Sequence, residues 1–299
     1  MNRLAAAILA LFLCAAASAD EKHPRPKIFG IASAHFYSTD LPAARKFYAL
    51  ILHPPEPCSW CKQTGSTPID ISLPSGQTVT FTAPDGPPPR DLLWEVVLAT
   101  DNVKAMKRYL EANKVAVEKP KHPGDGAFAV KDPEGHRLRF VQVAPGWSPS
   151  NTDALRLMHA GFIVNDRVAE DHFYKDILGF HLYWHGGMKD DVDNWVAMQV
   201  PDGTDWIEYM LNIPPNASKH TLGVMNHMAL GVEDIHVTQQ RIIANGAKPT
   251  EEPKVGRDGK WQLNLYDPDD TRTEFMEFTP KEKPCCSEFT GTHPGPKPK

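Results

Sequence analysis

The sequence has no excess of positive charge. Its 32 Lys and Arg face 37 Asp and Glu, for a formal net charge of −5, so nothing marks a phosphate-binding surface and nucleic acid is not an expected partner. Beyond the first residues there is no apolar run of the roughly 18 residues that a membrane span requires, and none is expected. No compositional extreme is present either. Hydrophobic residues make up 41% and charged residues 23%, which excludes wholesale disorder and collagen-like repeats. Proline and glycine are plentiful by contrast, 28 and 20 of 299 residues, and they favour turns and short strands over a helical bundle. The length fits two domains better than one.

The first residues, Met1-Asn2-Arg3, a short apolar run from Leu4 to Ala17 and then Ala17-Ser18-Ala19, have the form of a secretory signal peptide cleaved after Ala19. A periplasmic or secreted protein is the expectation. Of the five cysteines, Cys14 would leave with that segment. Cys58 and Cys61, spaced C-x-x-C, and adjacent Cys285 and Cys286 would remain. An oxidising compartment makes disulfides the default. Three pairings are possible, and sequence does not choose among them. One role open to them is a staple between the tail and the first domain. A four-thiolate zinc site fits poorly, because adjacent cysteines rarely both reach one tetrahedral ion.

Internal similarity reveals the organisation. Ser33-Ala-His35-Phe36-Tyr37 runs to Asp40 and then Phe47-Tyr48; His159-Ala-Gly-Phe162 runs to Asp166 and then Phe173-Tyr174, 126 positions later. A related unit occurs twice more. Trp94 to Asp101 leads into a helical stretch ending at Asn113, and His227 to Asp234 into one ending at Gly246. Asp is a good helix N-cap, and Asn or Gly a common stop. Each unit reads as strand, helix and a few returning strands, the last of them after Asp132-Pro133 or Asp267-Pro268. The fold class is α+β, with helices on one face of curved mixed sheets. The expected layout is a first domain over 28–145, a linker over 146–154, a second domain over 155–280 and a flexible tail over 281–299.

The segment His159…Asp166…Phe173-Tyr174…Leu178-Gly179-Phe180, with His227…Asp234…Gly246 and Asp267-Pro268…Arg272-Thr273-Glu274-Phe275, resembles the vicinal oxygen chelate superfamily. That superfamily includes glyoxalase I, bleomycin-resistance proteins, methylmalonyl-CoA epimerase and extradiol dioxygenases. The resemblance implies two tandem domains, each a cup of paired βαβββ units. It also implies metal ligands at His159, Glu208, His227 and Glu274, on the first and last strands of each unit. Strand alternation agrees: Glu208 shares a face with Trp206 and Met210, and Glu274 with Arg272 and Met276, while Glu277 points the other way. Two imidazoles and two carboxylates suit one divalent Zn, Ni, Mn or Fe(II) ion.

In the first domain the corresponding positions hold Ser33, Trp94 and Arg139, the strand around Thr80 has no carboxylate, and His35 is displaced by two. That domain is expected to be degenerate, a wall or lid for the other. His181, His185, Trp195, Trp206, Trp261 and Asn264 are candidates to line the pocket, with 186–193 as a mobile entrance. For the second domain the resemblance implies a glyoxalase-like lyase or isomerase acting on a small molecule, with Glu208 or Glu274 shuttling a proton. An extradiol dioxygenase using His159, His227 and Glu274 is an alternative, and so is a binding protein of the bleomycin-resistance type with no metal.

Overall fold

The structure is a computed structural model that describes residues 24–52, 58–119, 126–149 and 155–295. The expected signal segment and part of the linker lie outside these. The first half consists of β1 (Ile28–Tyr37), α1 (Leu41–Leu52), β2 (Ile69–Ser72), β3 (Thr78–Thr82), β4 (Leu93–Thr100), α2 (Val103–Ala112), β5 (Ala127–Lys131) and β6 (Arg137–Gln142). The second half begins with β7 (Arg156–Ile163) and α3 (Arg167–Asp171), which runs on as a π-helical turn, His172–Ile177. Then come β8 (His181–Gly186), β9 (Trp195–Gln199), β10 (Trp206–Met210), α4 (Lys219–Met225) and β11 (His227–Val232). The half closes with α5 (Ile235–Ala244), β12 (Lys254–Val255), β13 (Trp261–Tyr266) and β14 (Arg272–Glu277).

The helix starts follow from local chemistry. The carboxylates of Asp40, Asp166 and Asp234 accept backbone N–H bonds from the first turns of α1, α3 and α5, satisfying donors that a helix start leaves free. For α2 the cap is Asn102, one residue past the expected Asp101.

Both halves place an antiparallel pair at the sheet centre, β1 with β4 and β7 with β11. Each central strand is flanked by a parallel neighbour: β3 and β6 in the first half, β10 and β14 in the second. The result is a six-stranded and an eight-stranded mixed sheet, an α+β fold of two related units. Only the second half carries three returning strands in each unit. Among the described residues, the first half has two, with the isolated Val117–Val130 bridge at the place of a third.

One apolar core, from Ile28 to Phe275, runs through both halves, and polar contacts tie them reciprocally. The Tyr48 hydroxyl donates to Asp267 at 3.1 Å, and the Tyr174 hydroxyl donates to Asp132 at 3.2 Å. Deeper in, Asp205 pairs with Arg156, both fully buried, and accepts the Ile31 N–H at 2.9 Å.

The tail departs from expectation. The Lys281 and Glu282 N–H groups donate to the Gly259 carbonyl, and residues 287–293 lie along β8: the Thr290 N–H donates to the Tyr183 carbonyl, the Ser287 hydroxyl to the His185 carbonyl, and Phe289 packs on the Tyr183 ring. Apolar and backbone partners on an edge strand hold it there. The disulfides are Cys58–Cys61 and Cys285–Cys286. Each is local, so no covalent staple joins the tail to the first domain. Among the described residues, no helix is long and apolar enough to cross a membrane.

Candidate metal centre

The four expected residues converge on the concave face of the larger sheet. The register brings them there: β10 runs parallel to β7 with Trp206 opposite His159, and β14 runs parallel to β11 with Glu274 opposite Ala229. A bulge adds what simple alternation does not. Between the pairs His159–Ala229 and Leu157–Leu230, β7 carries one extra residue. Leu157 therefore joins the main core while Met158 packs with Trp206 and Met276 beside the cup. Bulges re-aim side chains in this way. β1 has the same irregularity between Ile31 and Ser33, so the device belongs to both copies.

The Nε2 atoms of His159 and His227 face each other at 3.0 Å. Glu208 Oε2 lies 3.5 Å from His159 Nε2 and 3.4 Å from His227 Nε2; Glu274 Oε2 lies at 3.6 and 3.7 Å. The His227 Nδ1–H donates to the Met225 carbonyl at 3.2 Å, which makes its Nε2 the lone-pair atom turned toward the group. Burial holds both imidazoles well below the ordinary histidine pKa, and for His227 the Arg272 guanidinium adds to the effect. Neutral rings are the ligating form. Burial also pushes the Glu274 carboxyl up to about 7, against the pull of Arg272. Two inward lone pairs and two carboxylates around one point fit a divalent ion.

Gly161 is a functional position that sequence reasoning missed. It sits directly across from His227, and a Cβ there would lie 2.1 Å from the His227 ring. The backbone must stay bare for the imidazole to seat. Arg272 is another: its Nη2 donates to His227 Nε2 at 2.6 Å and it lines the cleft.

That cleft has a volume of about 90 Å³, with Trp184, Trp195, Trp206 and Phe289 as aromatic walls and Arg257 at its side. Beneath it Lys260 is fully buried, 4.8 Å from the Trp206 ring, donating to the Tyr183 hydroxyl at 3.1 Å. Of the expected lining residues, Trp195 and Trp206 are present. His181, His185 and Asn264 instead bond Gln199, Asp193 and Glu251, and Trp261 packs on His236. The entrance loop is tied down: Asp193 meets Arg167 and His185, each at 2.6 Å, and Asp190 pairs with Arg257. Phe289 had no periodic signal, since it reaches the cleft from an irregular tail.

In the first domain the erased positions are filled by other bonds. Ser33 accepts from Thr78 at 2.8 Å, and buried Glu95 joins His35, Arg137 and Arg139. Glu277 accepts the Ile235 N–H on the far face of its strand.

The profile of the glyoxalase/bleomycin resistance protein/dioxygenase superfamily matches residues 156–275. The second domain belongs to that superfamily. A lactoylglutathione lyase of Haemophilus influenzae is 26% identical over 125 residues, 41% of this chain and 93% of that protein. A probable chloroplastic lactoylglutathione lyase of Arabidopsis thaliana is 25% identical over 140 residues, 45% of this chain and 39% of that one.

Solved structures extend the likeness to the tandem arrangement. A homoprotocatechuate 2,3-dioxygenase of Arthrobacter globiformis superposes with a TM-score of 0.59 at 18% identity, covering 86% of this chain and 81% of that one. A 2,3-dioxygenase of a Pseudomonas species reaches 0.63 at 11% identity, covering 87% and 97%. At such identities the likeness concerns the fold alone.

Proposed function

We propose that this protein is an exported, metal-dependent lyase or isomerase of the glyoxalase type, acting on a small molecule that presents two oxygens. The reading rests on one observation: a second carboxylate, Glu208, reaches both imidazoles in addition to Glu274. His159, His227, Glu208 and Glu274 would hold one divalent ion. Such an ion supplies Lewis-acid stabilisation where negative charge develops on substrate oxygen. Glu208, on the open side of the group, takes a proton from substrate carbon and returns it to the neighbouring carbon. The Arg272 guanidinium holds an anionic oxygen against the cleft wall, and the tryptophans keep water from the reacting face.

Glu208→Gln separates the roles. An amide oxygen still ligates, so metal should remain while turnover drops about 100-fold or more. Metal analysis of the purified protein, with turnover assays on 2-hydroxy-carbonyl compounds and on catechols, tests the reading. Zn, Ni or Mn at stoichiometric level with isomerisation supports it. The aromatic walls of the cleft favour a second reading, an extradiol dioxygenase: Fe(II) and oxygen consumption with a catechol would replace the first. A protein that binds ligand with no metal would be a binding module.

Export is supported by residues 1–19 and by four remaining cysteines in two local pairs, as suits an oxidising compartment. Intact mass of the exported chain should match a start at Asp20 with no free thiol. Four free thiols, or a retained leader, would remove this part.

A further inference from the structure

The two Tyr–Asp junctions that tie the halves together are built alike, but only one carries extra titratable groups. At each junction an Asp-Pro turn from one half offers a carboxylate to a helix tyrosine of the other. Asp267 accepts from Tyr48 and from the N–H groups of Asp269 and Thr271; Asp132 accepts from Tyr174 and from those of Glu134 and His136. The first junction is completed by Ala44 and Thr271, both buried. At the positions corresponding by the repeat, the second has Glu170 and His136. The fold is satisfied without an acid and an imidazole there, so these two are an addition.

The addition is chemically specific. One ligating atom from each of Asp132, His136 and Glu170 lies within 4.8 Å of the others. His136 Nδ1 stands 2.8 Å from Asp132 Oδ2, and its ring is fixed by stacking on Phe162 with centroids 4.0 Å apart. Glu170 is fully buried. One oxygen accepts the Glu134 N–H at 3.0 Å, while Oε2 has no hydrogen-bond partner, and the Asp132 carboxylate lies close to the Glu170 carboxyl. Two buried carboxylates this close require a positive charge between them, either a proton or a cation. An imidazole with two carboxylates is a donor set for a transition-metal ion rather than calcium or magnesium.

We propose that Asp132, His136 and Glu170 form a second divalent metal site, of the Zn(II) or Mn(II) kind, at the junction of the two domains. It is separate from the cup centre and independent of the catalytic reading. Its ion joins the Asp132–His136 turn of the first domain to α3 of the second, at the junction where two buried carboxylates meet.

Glu170→Gln tests it without disturbing the fold, because the amide N–H donates to Asp132 as a protonated Glu170 would. With only Asp132 and His136 left as full donors beside a neutral amide the site no longer holds an ion, whereas the cup keeps three full ligands when Glu208 becomes Gln. Full-length mature protein is stripped with chelator, loaded with Zn(II) or Mn(II), freed of excess by gel filtration and analysed for metal. The parent should hold two equivalents and Glu170→Gln one, with part of the metal-induced rise in Tm lost. A chain with His159→Ala and His227→Ala should keep one equivalent, which disappears when Glu170→Gln is added. If Glu170→Gln leaves both stoichiometry and the metal-induced Tm shift unchanged, the pair is bridged by a proton and the site is refuted. Should the double-histidine variant fail to fold, the parent and Glu170→Gln comparison decides alone.

Discussion

With His227→Ala, divalent metal is expected to leave the cup, its affinity falling by at least about 100-fold, and turnover should fall with it. Losses of 10–100-fold accompany the removal of mere supporting groups around a metal, and His227 stands among the four facing donors themselves. His159→Ala should do the same, since it removes the opposing lone pair. Gly161→Ala is the sharper variant. It keeps every donor, yet its new methyl group would occupy the space of the His227 ring. Affinity should fall in the same direction although the composition of the site is unchanged. Metal content after dialysis, measured in a Glu170→Gln background so that only the cup is counted, checks all three. Unchanged metal in both histidine variants would leave ligand binding without metal chemistry as the better account.

Asp205→Ala should destabilise the fold by about 3–5 kcal/mol, the range expected when one partner of a buried ion pair is removed. Arg156 would be left as an unpaired cation with no exposed surface. The Ile31 N–H and the Gln77 side-chain amide would also lose an acceptor, at 2.9 and 3.3 Å. Because Ile31 and Gln77 belong to the first half and Arg156 and Asp205 to the second, the loss falls on the contact between domains. Urea unfolding followed by fluorescence reads it as a lower midpoint. The paired change Arg156→Met with Asp205→Leu should cost less than Asp205→Ala alone, since no charge is then left buried. A single change of under about 1 kcal/mol, the level of an exposed ion pair, would mean that the pair contributes little to the interface.

The tandem α+β architecture was legible because it is written in periodic signals. The Asp caps, the Phe-Tyr pairs and the strand alternation recur at a fixed offset, and each depends on neighbours within a few residues. The candidate site was legible by another route. The superfamily resemblance implied His159, Glu208, His227 and Glu274, and comparing copies set them against Ser33, Thr80, Trp94 and Arg139 in the first half.

Long-range contact decided the rest. The bulge before His159 is a matter of register between β7 and β11, and a strand read alone shows only alternation. Gly161 matters because of the ring across from it, 66 positions later in the chain. Phe289 enters the cleft from a Pro- and Gly-rich tail whose order comes from β8, not from its own composition. The cysteine pairing, local in both cases, was open because four cysteines permit three connectivities. The sequence by itself determined which units exist and which residue types stand at their ends, since those are set by local propensity and repetition. Only the tertiary structure decided which side chains meet, because packing and register join residues that no local pattern connects.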